Sequence, residues 1–172
     1  NGVQTCALPI FNVDWRLGKG EGPKLGAIKW LERTGVNALL NVGSGTPFTP
    51  TRVYNEVSLA AVSPDGNGQP FNSRYGPWAF NLDLKATREF GVGHFQVEAF
   101  VWALNVTNSK NPVAVYTSSG TATSTTWLQT ADGQDYLSRT GADGARLYQV
   151  ATNNPNLYSN PRLVRFGLRT NF

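Results

Sequence analysis

Few residues in this chain have the types and spacing needed for catalysis or metal binding. His94 is the single histidine and follows Gly93 in a short stretch that predicts an exposed turn. Ser44 lies between two glycines but lacks the spacing of a nucleophile elbow. Cys6 is the single cysteine, so neither a disulfide nor a thiolate zinc site is indicated. We therefore expect no enzyme activity, no bound metal and no cofactor.

Four aspartates lie in glycine-rich stretches whose composition is that of calcium-binding loops. Asp65 is part of "SPDGNGQP", whereas Asp132, Asp135 and Asp143 are part of "ADGQDYLSRTGADG". An EF-hand loop needs ligands at fixed intervals and a closing glutamate, and neither stretch has them. Both stretches therefore predict turns rather than a calcium site.

A further group of charged residues alternates with apolar residues, so its members are expected on one face of a sheet. They are Asp83, Lys85, Glu98, Arg165 and Arg169. Such side chains either bind a ligand or pair with one another and, where they line the lumen of a barrel, with its plug. We favour pairing, because charges on an inner surface must be satisfied.

Five segments with a period of two position these charges. They comprise residues 11–17, 35–43, 78–90, 95–103 and 163–172. Each predicts a strand with one apolar and one polar face. Together with the abundance of Gly, Thr, Asn and aromatic residues, they favour an all-β, antiparallel fold with little helix.

The links between these segments differ in length. Only "GVGH", at 91–94, separates the third and fourth segments, whereas residues 44–77 and 105–160 form long links rich in Gly, Ser, Thr, Asn and Pro. The long links lie at one end of the strands and the short link at the other. We expect the long links to be loop excursions, with small strands such as "PVAVYT" inside them.

Alternation does not reveal which face meets water. In a secreted or periplasmic β-sandwich binding module, the apolar face is a buried core. That core would comprise Val36, Leu40, Leu82, Leu84, Val97, Val101 and Leu168. In a membrane barrel the same face turns outward to lipid.

Three features favour the membrane barrel. Aromatic residues gather at strand ends, with Trp78 and Phe80 at the long-link end and Phe90, Phe95 and Phe172 at the short-turn end. Membrane barrels carry such aromatic girdles at both interfaces. Charges at mid-strand are the second feature, because they suit a water-filled or plugged lumen. The third is the grouping of long and short links at opposite ends, which a sandwich does not need.

The net charge of +4 comes from scattered basic residues, which argues against a nucleic-acid partner.

The last residues, "RFGLRTNF", resemble the carboxy-terminal assembly signal of bacterial outer-membrane proteins. Arg165, Gly167 and Phe172 match that pattern, whereas Thr170 stands where an aromatic or aliphatic residue is more usual. The resemblance implies recognition by the barrel assembly machinery.

The chain from residue 11 onward is similar to the C-terminal part of a TonB-dependent outer-membrane receptor of the Oar-like kind. The similarity lies in "GSGTPFTP", "SRYGPWAFNLDLKATREF", "VWALNVTNSKNPVAVYTSSG" and "NPNLYSNPRLVRFGLRTNF". It implies a transmembrane β-barrel fragment of about five strands in the bacterial outer membrane, which forms an open, curved sheet when isolated. The implied partners are outer-membrane lipid, the assembly machinery, the TonB complex through an N-terminal part that this sequence lacks, and an unknown small external ligand.

The resemblance also implies where that ligand first makes contact. With residue 172 at the periplasmic rim, the turn at 91–94 is periplasmic and the links 44–77 and 105–160 face outside the cell. Their aromatic residues Tyr54, Tyr116, Trp127 and Tyr136 are the candidate contacts, and packing within the loops explains them equally well.

Residues 1–10 are a separate segment. From Gly2 to Ile10 they resemble the translated sequence of a common sequencing-library adapter. We therefore expect this segment to be non-biological and the chain to be the tail of a longer protein.

Deleting Phe172 from the parent receptor is expected to reduce outer-membrane assembly, because the resemblance assigns the terminal aromatic to the assembly machinery. The measurement is the amount of heat-modifiable barrel in outer-membrane fractions. Thr170→Tyr serves as the matched variant and is expected to match or exceed the wild type. Wild-type levels after the deletion would contradict the assembly-signal interpretation.

Overall fold

The computed structural model describes residues 8–23, 29, 31–51, 70–93 and 95–171. Its five long strands coincide with the five alternating segments, to within one or two residues. They are β1 (Ile10–Arg16), β2 (Thr34–Gly43), β5 (Ala79–Val92), β6 (Phe95–Leu104) and β7 (Leu163–Asn171), which form one sheet in the order β1-β2-β5-β6-β7. Two short strands, β3 (Pro47–Phe48) and β4 (Arg74–Tyr75), form a separate pair. The prediction of a mostly antiparallel β structure is confirmed.

The sheet is open. In its strand order β1 and β7 lie at opposite edges, and in the described part of the chain they do not pair. Every residue of β1 is exposed. The first residue of β1, Ile10, belongs to the adapter-like segment and lies opposite Asn41.

The chain divides into two compact units. We call one the sheet unit (Leu8–Val42, Phe80–Ser109 and Asn160–Phe172) and the other the helix unit (Asn1–Ala7, Gly43–Ala79 and Lys110–Ser159). The hydrophobic residues that are buried among the described residues all belong to the helix unit. They are Tyr116, Ala122, Tyr148 and Leu157.

The expectation of little helix is wrong for the helix unit. Helix α1 runs from Ala131 to Thr152 and takes in all three aspartates predicted to lie in turns, Asp132, Asp135 and Asp143. Among the described residues no helix is long and apolar enough to cross a membrane. The predicted strand at 112–117 is also wrong, since only isolated bridges occur there, at Pro112 and Tyr116.

The glycines of α1 do not form the turns that were predicted for them. A Cβ on Gly133 would lie 2.2 Å from the carbonyl oxygen of Trp127, so this glycine permits close packing. Only Gly141 leaves the helical conformation, with φ 60° and ψ −143°, and it divides α1 by a kink. Glycine therefore marks close contact at one position of the helix and a kink at another.

The side chain of Thr130 caps the start of α1. Its hydroxyl oxygen accepts a hydrogen bond from the Gly133 amide at 3.2 Å and donates one to the Trp127 carbonyl at 2.7 Å. Asp132 in the first turn adds a favourable interaction with the helix dipole. The cap satisfies an amide that has no partner within the helix.

Thr130→Ala is expected to destabilise the first turn of α1 by about 1 kcal/mol, because it removes this cap. Hydrogen exchange of the α1 amides measures the effect, and exchange in the first turn should accelerate about fivefold. Thr123→Ala, at an exposed threonine of the same unit, is the control and should leave exchange unchanged. Equal exchange in both variants would contradict the capping role.

Candidate functional site

The register of the sheet unit separates two faces. Because Glu98 lies opposite Glu89 on one side and Arg169 on the other, the strands are aligned without a slip. We define the polar face by Asp83, Lys85, Thr87, Glu89, Gln96, Glu98, Phe100, Trp102, Arg165, Gly167 and Arg169. We define the apolar face by Leu82, Leu84, Ala86, Arg88, Phe90, Val97, Ala99, Val101, Ala103, Val164, Phe166, Leu168 and Thr170.

The five charged residues that were predicted to share a face all lie on the polar face. A concavity of about 510 Å³ occupies the part of this face nearest the 91–94 turn. Five cationic side chains line it, but only two carboxylates do. They are Arg16, Lys19, Arg33, Lys85 and Arg169, with Glu89 and Glu98. The concavity therefore has an excess of positive charge that suits an anionic group.

The described residues test only one part of the pairing that we favoured, the pairing of the polar-face charges with one another. In the described part of the chain, none of the five predicted residues lies within ion-pair distance of an opposite charge. Asp83 instead accepts hydrogen bonds from the Asn105 amide and from Asn81 Nδ2, each at 2.8 Å. Backbone and side-chain amides thus take the role expected of cations.

Two cations of the polar face lie over aromatic rings of β6. The Lys85 ammonium is 5.5 Å from the centre of the Phe100 ring, and the Arg165 guanidinium is 5.8 Å from that of Trp102. At exposed sites such contacts contribute about 0.5–1 kcal/mol each. The sequence predicts Phe100 and Trp102 only as members of an alternating strand. The cations Lys85 and Arg165 on the neighbouring strands were the one signal that these rings would have partners.

Gly167, a residue of the assembly-signal pattern, lies beneath the Phe100 ring. The two residues are directly opposite in β6 and β7. A Cβ on Gly167 would be 2.3 Å from Phe100 Cζ, so the ring occupies the space of a side chain. Thr170 is exposed and lies opposite Val97. Phe172 lies outside the described residues.

The predicted ligand contacts lie in the helix unit, and the structure brings two of them together. The ring centres of Trp127 and Tyr136 are 5.5 Å apart, and Tyr148 stacks on Trp127 at 5.7 Å. Tyr116 is buried, and its hydroxyl donates to the Thr152 carbonyl at 2.9 Å. Tyr54 lies outside the described residues.

Tyr148 was missed in the sequence, although a helical signal was present there. Gly144, Tyr148 and Thr152 follow at intervals of four and are all buried in α1. The Tyr148 hydroxyl is hydrogen-bonded to the Thr125 hydroxyl and accepts from the Thr125 amide at 3.2 Å. The aromatic cluster of Trp127, Tyr136 and Tyr148 is therefore tied to the segment before α1.

The described residues that were considered for catalysis or metal binding do not form a catalytic or metal site. Ser44 Oγ is enclosed and has no hydrogen-bond partner among the described residues, so no base lies beside it there. In the same part of the chain no three metal-ligating side chains come together. His94, Cys6 and Asp65 lie outside the described residues.

Comparison with known proteins adds no family assignment. No family model, no curated protein and no solved structure matches the chain. The resemblance noted in the sequence therefore remains a prediction. A functional assignment has to depend on the physical properties of the two units.

Gly167→Ala is expected to destabilise the sheet by about 1–3 kcal/mol, because the new Cβ displaces the Phe100 ring. Urea unfolding of the chain in detergent micelles measures the free energy. Gly91→Ala is the matched control, since a Cβ there meets only Arg33 Nη1 at 3.7 Å, and it should change stability by less than about 0.5 kcal/mol.

A double variant tests the cause of that loss. Gly167→Ala in a Phe100→Leu background should cost less than in the wild type, because the ring that it displaces is gone. Equal costs in the two backgrounds would contradict the proposed contact.

Proposed function

We propose that the chain is the C-terminal part of a TonB-dependent receptor in the bacterial outer membrane, for energy-coupled uptake or binding of an external ligand. In this proposal the sheet unit is a segment of the barrel, with its apolar face against lipid and its polar face towards the lumen. The observation that carries it is the extent of exposed apolar surface on the sheet.

Exposed apolar side chains lie on both edge strands of the sheet unit. Phe166 is 77% exposed and Leu168 is 73% exposed on β7, and Val13 is 63% exposed on β1. Contiguous apolar surface of this kind rarely faces water in a soluble monomer, because leaving it hydrated costs about 25 cal/mol per Å². Hydrocarbon removes that cost, which supports a lipid-facing role.

The lengths of the strands support the same role. Strands β2, β5, β6 and β7 have 10, 14, 10 and 9 residues. A tilted strand needs about 9–11 residues to cross the hydrocarbon of a bilayer. The longest strand, β5, has additional residues that would extend past the hydrocarbon into the polar interface.

Exposed aromatic residues near the strand ends add further support. Phe80 lies near the start of β5, Phe90 near its end and Phe95 at the start of β6, and each is more than two-fifths exposed. Aromatic rings at both ends of lipid-facing strands match the interfacial girdles of membrane barrels.

The competing β-sandwich needs a second layer over the apolar face. Of its seven expected core residues none is buried, and Leu168, Val101 and Val36 are exposed. A binding module with this core would leave its main hydrophobic surface in water. We therefore prefer the receptor to the sandwich.

Labels on neighbouring residues of β5 test which medium each face meets. Leu84 and Lys85 are adjacent, half-buried and on opposite faces. In the parent receptor, a fluorophore at Leu84→Cys should be quenched by a lipid-dissolved quencher and not by a water-borne one. A fluorophore at Lys85→Cys should show the reverse preference. If the Leu84 label is shielded from both quenchers, the apolar face is a buried core and the receptor proposal is wrong.

A further inference from the structure

We infer that the apolar face carries a binding site for one glycerophospholipid, in which Arg88 binds the phosphate and the adjoining groove holds an acyl chain. The inference rests on the proposed function, because it requires the apolar face to meet lipid. It goes beyond that proposal by assigning a specific site and ligand class to a surface otherwise expected to contact lipid without selectivity.

Arg88 is the one charged side chain on the apolar face, as we have defined it. It lies opposite Ala99, and Ala99 lies opposite Leu168, so its neighbours on the β6 side of the sheet are apolar. An arginine within a lipid-facing surface is costly unless its charge reaches the interface or is neutralised. A charge at this position therefore calls for an explanation.

The position of the guanidinium indicates the direction in which Arg88 points. Its Cζ lies 5.3 Å from the centre of the Phe90 ring. Phe90 is the next residue on the same face and lies closer to the 91–94 turn. The arginine side chain therefore runs along the strand towards the end of the sheet, where the proposed membrane boundary lies.

The guanidinium of Arg88 is available to an anion. Within the described part of the chain it makes no hydrogen bond or ion pair, and its one partner there is the Phe90 ring. A guanidinium has five N–H donors arranged to bind two oxygens of a phosphate at once. At a membrane boundary the abundant anion with that geometry is the phosphate of a lipid headgroup.

A groove beside Arg88 supplies the apolar part of the site. It has a volume of about 500 Å³ and is lined by Arg88, Thr34 and Thr87 together with small and large apolar residues. The small side chains of Ala86 and Ala99 form the bottom of the groove. The larger side chains around them are those of Phe90, Val101 and Phe166. A cationic group at the edge of an apolar groove is complementary to a phospholipid and not to a free phosphate or an uncharged chain.

Lipid titration of the parent receptor, followed by native mass spectrometry, tests the site. The probe is phosphatidylglycerol added to receptor in detergent, and the readout is the dissociation constant of the first bound lipid. Arg88→Gln should weaken binding about tenfold, because a charge-assisted phosphate contact is lost. Arg88→Lys should retain part of the affinity, since the charge remains but two-point binding is lost.

Lys85→Gln is the matched control. Like Arg88, Lys85 is a cation of β5 that lies over an aromatic ring, but it lies on the polar face. It should leave lipid affinity unchanged. Ala99→Leu should weaken lipid binding with Arg88 intact, because it fills the groove. Glycerol phosphate, which has no acyl chain, should fail to compete.

The outcomes separate this inference from the proposed function. Unchanged lipid affinity in Arg88→Gln would overturn the site, and the receptor proposal would stand if the Leu84 label is still quenched from lipid. Effective competition by glycerol phosphate would overturn the role of the groove. A Leu84 label that lipid does not reach would overturn the receptor proposal itself.

Discussion

In β6, Phe100 lies between Thr87 of β5 and Gly167 of β7, and Glu98 lies between Glu89 and Arg169. This register assigns every side chain of three strands to one face, because side chains alternate along a strand. A shift of one residue in β7 would move Phe166 and Leu168 to the charged face and Arg165 and Arg169 to the apolar one. The Phe100 ring over Gly167 opposes such a shift, since only glycine leaves room for the ring.

The two units of the chain obtain their stability by different means. The helix unit has a small core of its own, in which Tyr116, Ala122 and Leu157 are buried and Tyr158 packs against them. Its buried hydroxyls and amides are joined by hydrogen bonds, such as that from Tyr116 to Thr152. The sheet unit has strong backbone pairing but leaves its apolar side chains exposed. Its stability therefore depends on a medium or partner that removes this surface from water.

The strands were predictable from the sequence, and the helix was not. Period-two alternation identified the five long strands because one face is apolar and the other polar along most of their length. Helix α1 was missed because Gly133, Gly141 and Gly144 suggested turns, whereas only Gly141 breaks the helix. The others are buried where a Cβ would collide with neighbouring atoms. Composition cannot distinguish a glycine required by a turn from one required by close packing.

The candidate site was only partly predictable for a related reason. Alternation correctly grouped Asp83, Lys85, Glu98, Arg165 and Arg169 on one face, but it could not show their partners. Arg33 joins the polar concavity from just before β2, outside any alternating pattern. The contacts of Lys85 with Phe100 and of Arg165 with Trp102 depend on cross-strand register, which becomes known only when the strands are paired.

Three cations of the sheet lie over aromatic rings, but the physical consequence differs between the faces. On the polar face, Lys85 and Arg165 gain the contact with a ring while water can still solvate their charge. On the apolar face, Arg88 has the Phe90 ring but apolar neighbours on the β6 side. A cation–π contact contributes about 0.5–2 kcal/mol, whereas a charge in apolar surroundings costs several kcal/mol. The ring alone therefore does not offset the cost of placing Arg88 against hydrocarbon, and in the proposed lipid site a headgroup phosphate at the membrane boundary supplies the remaining stabilisation.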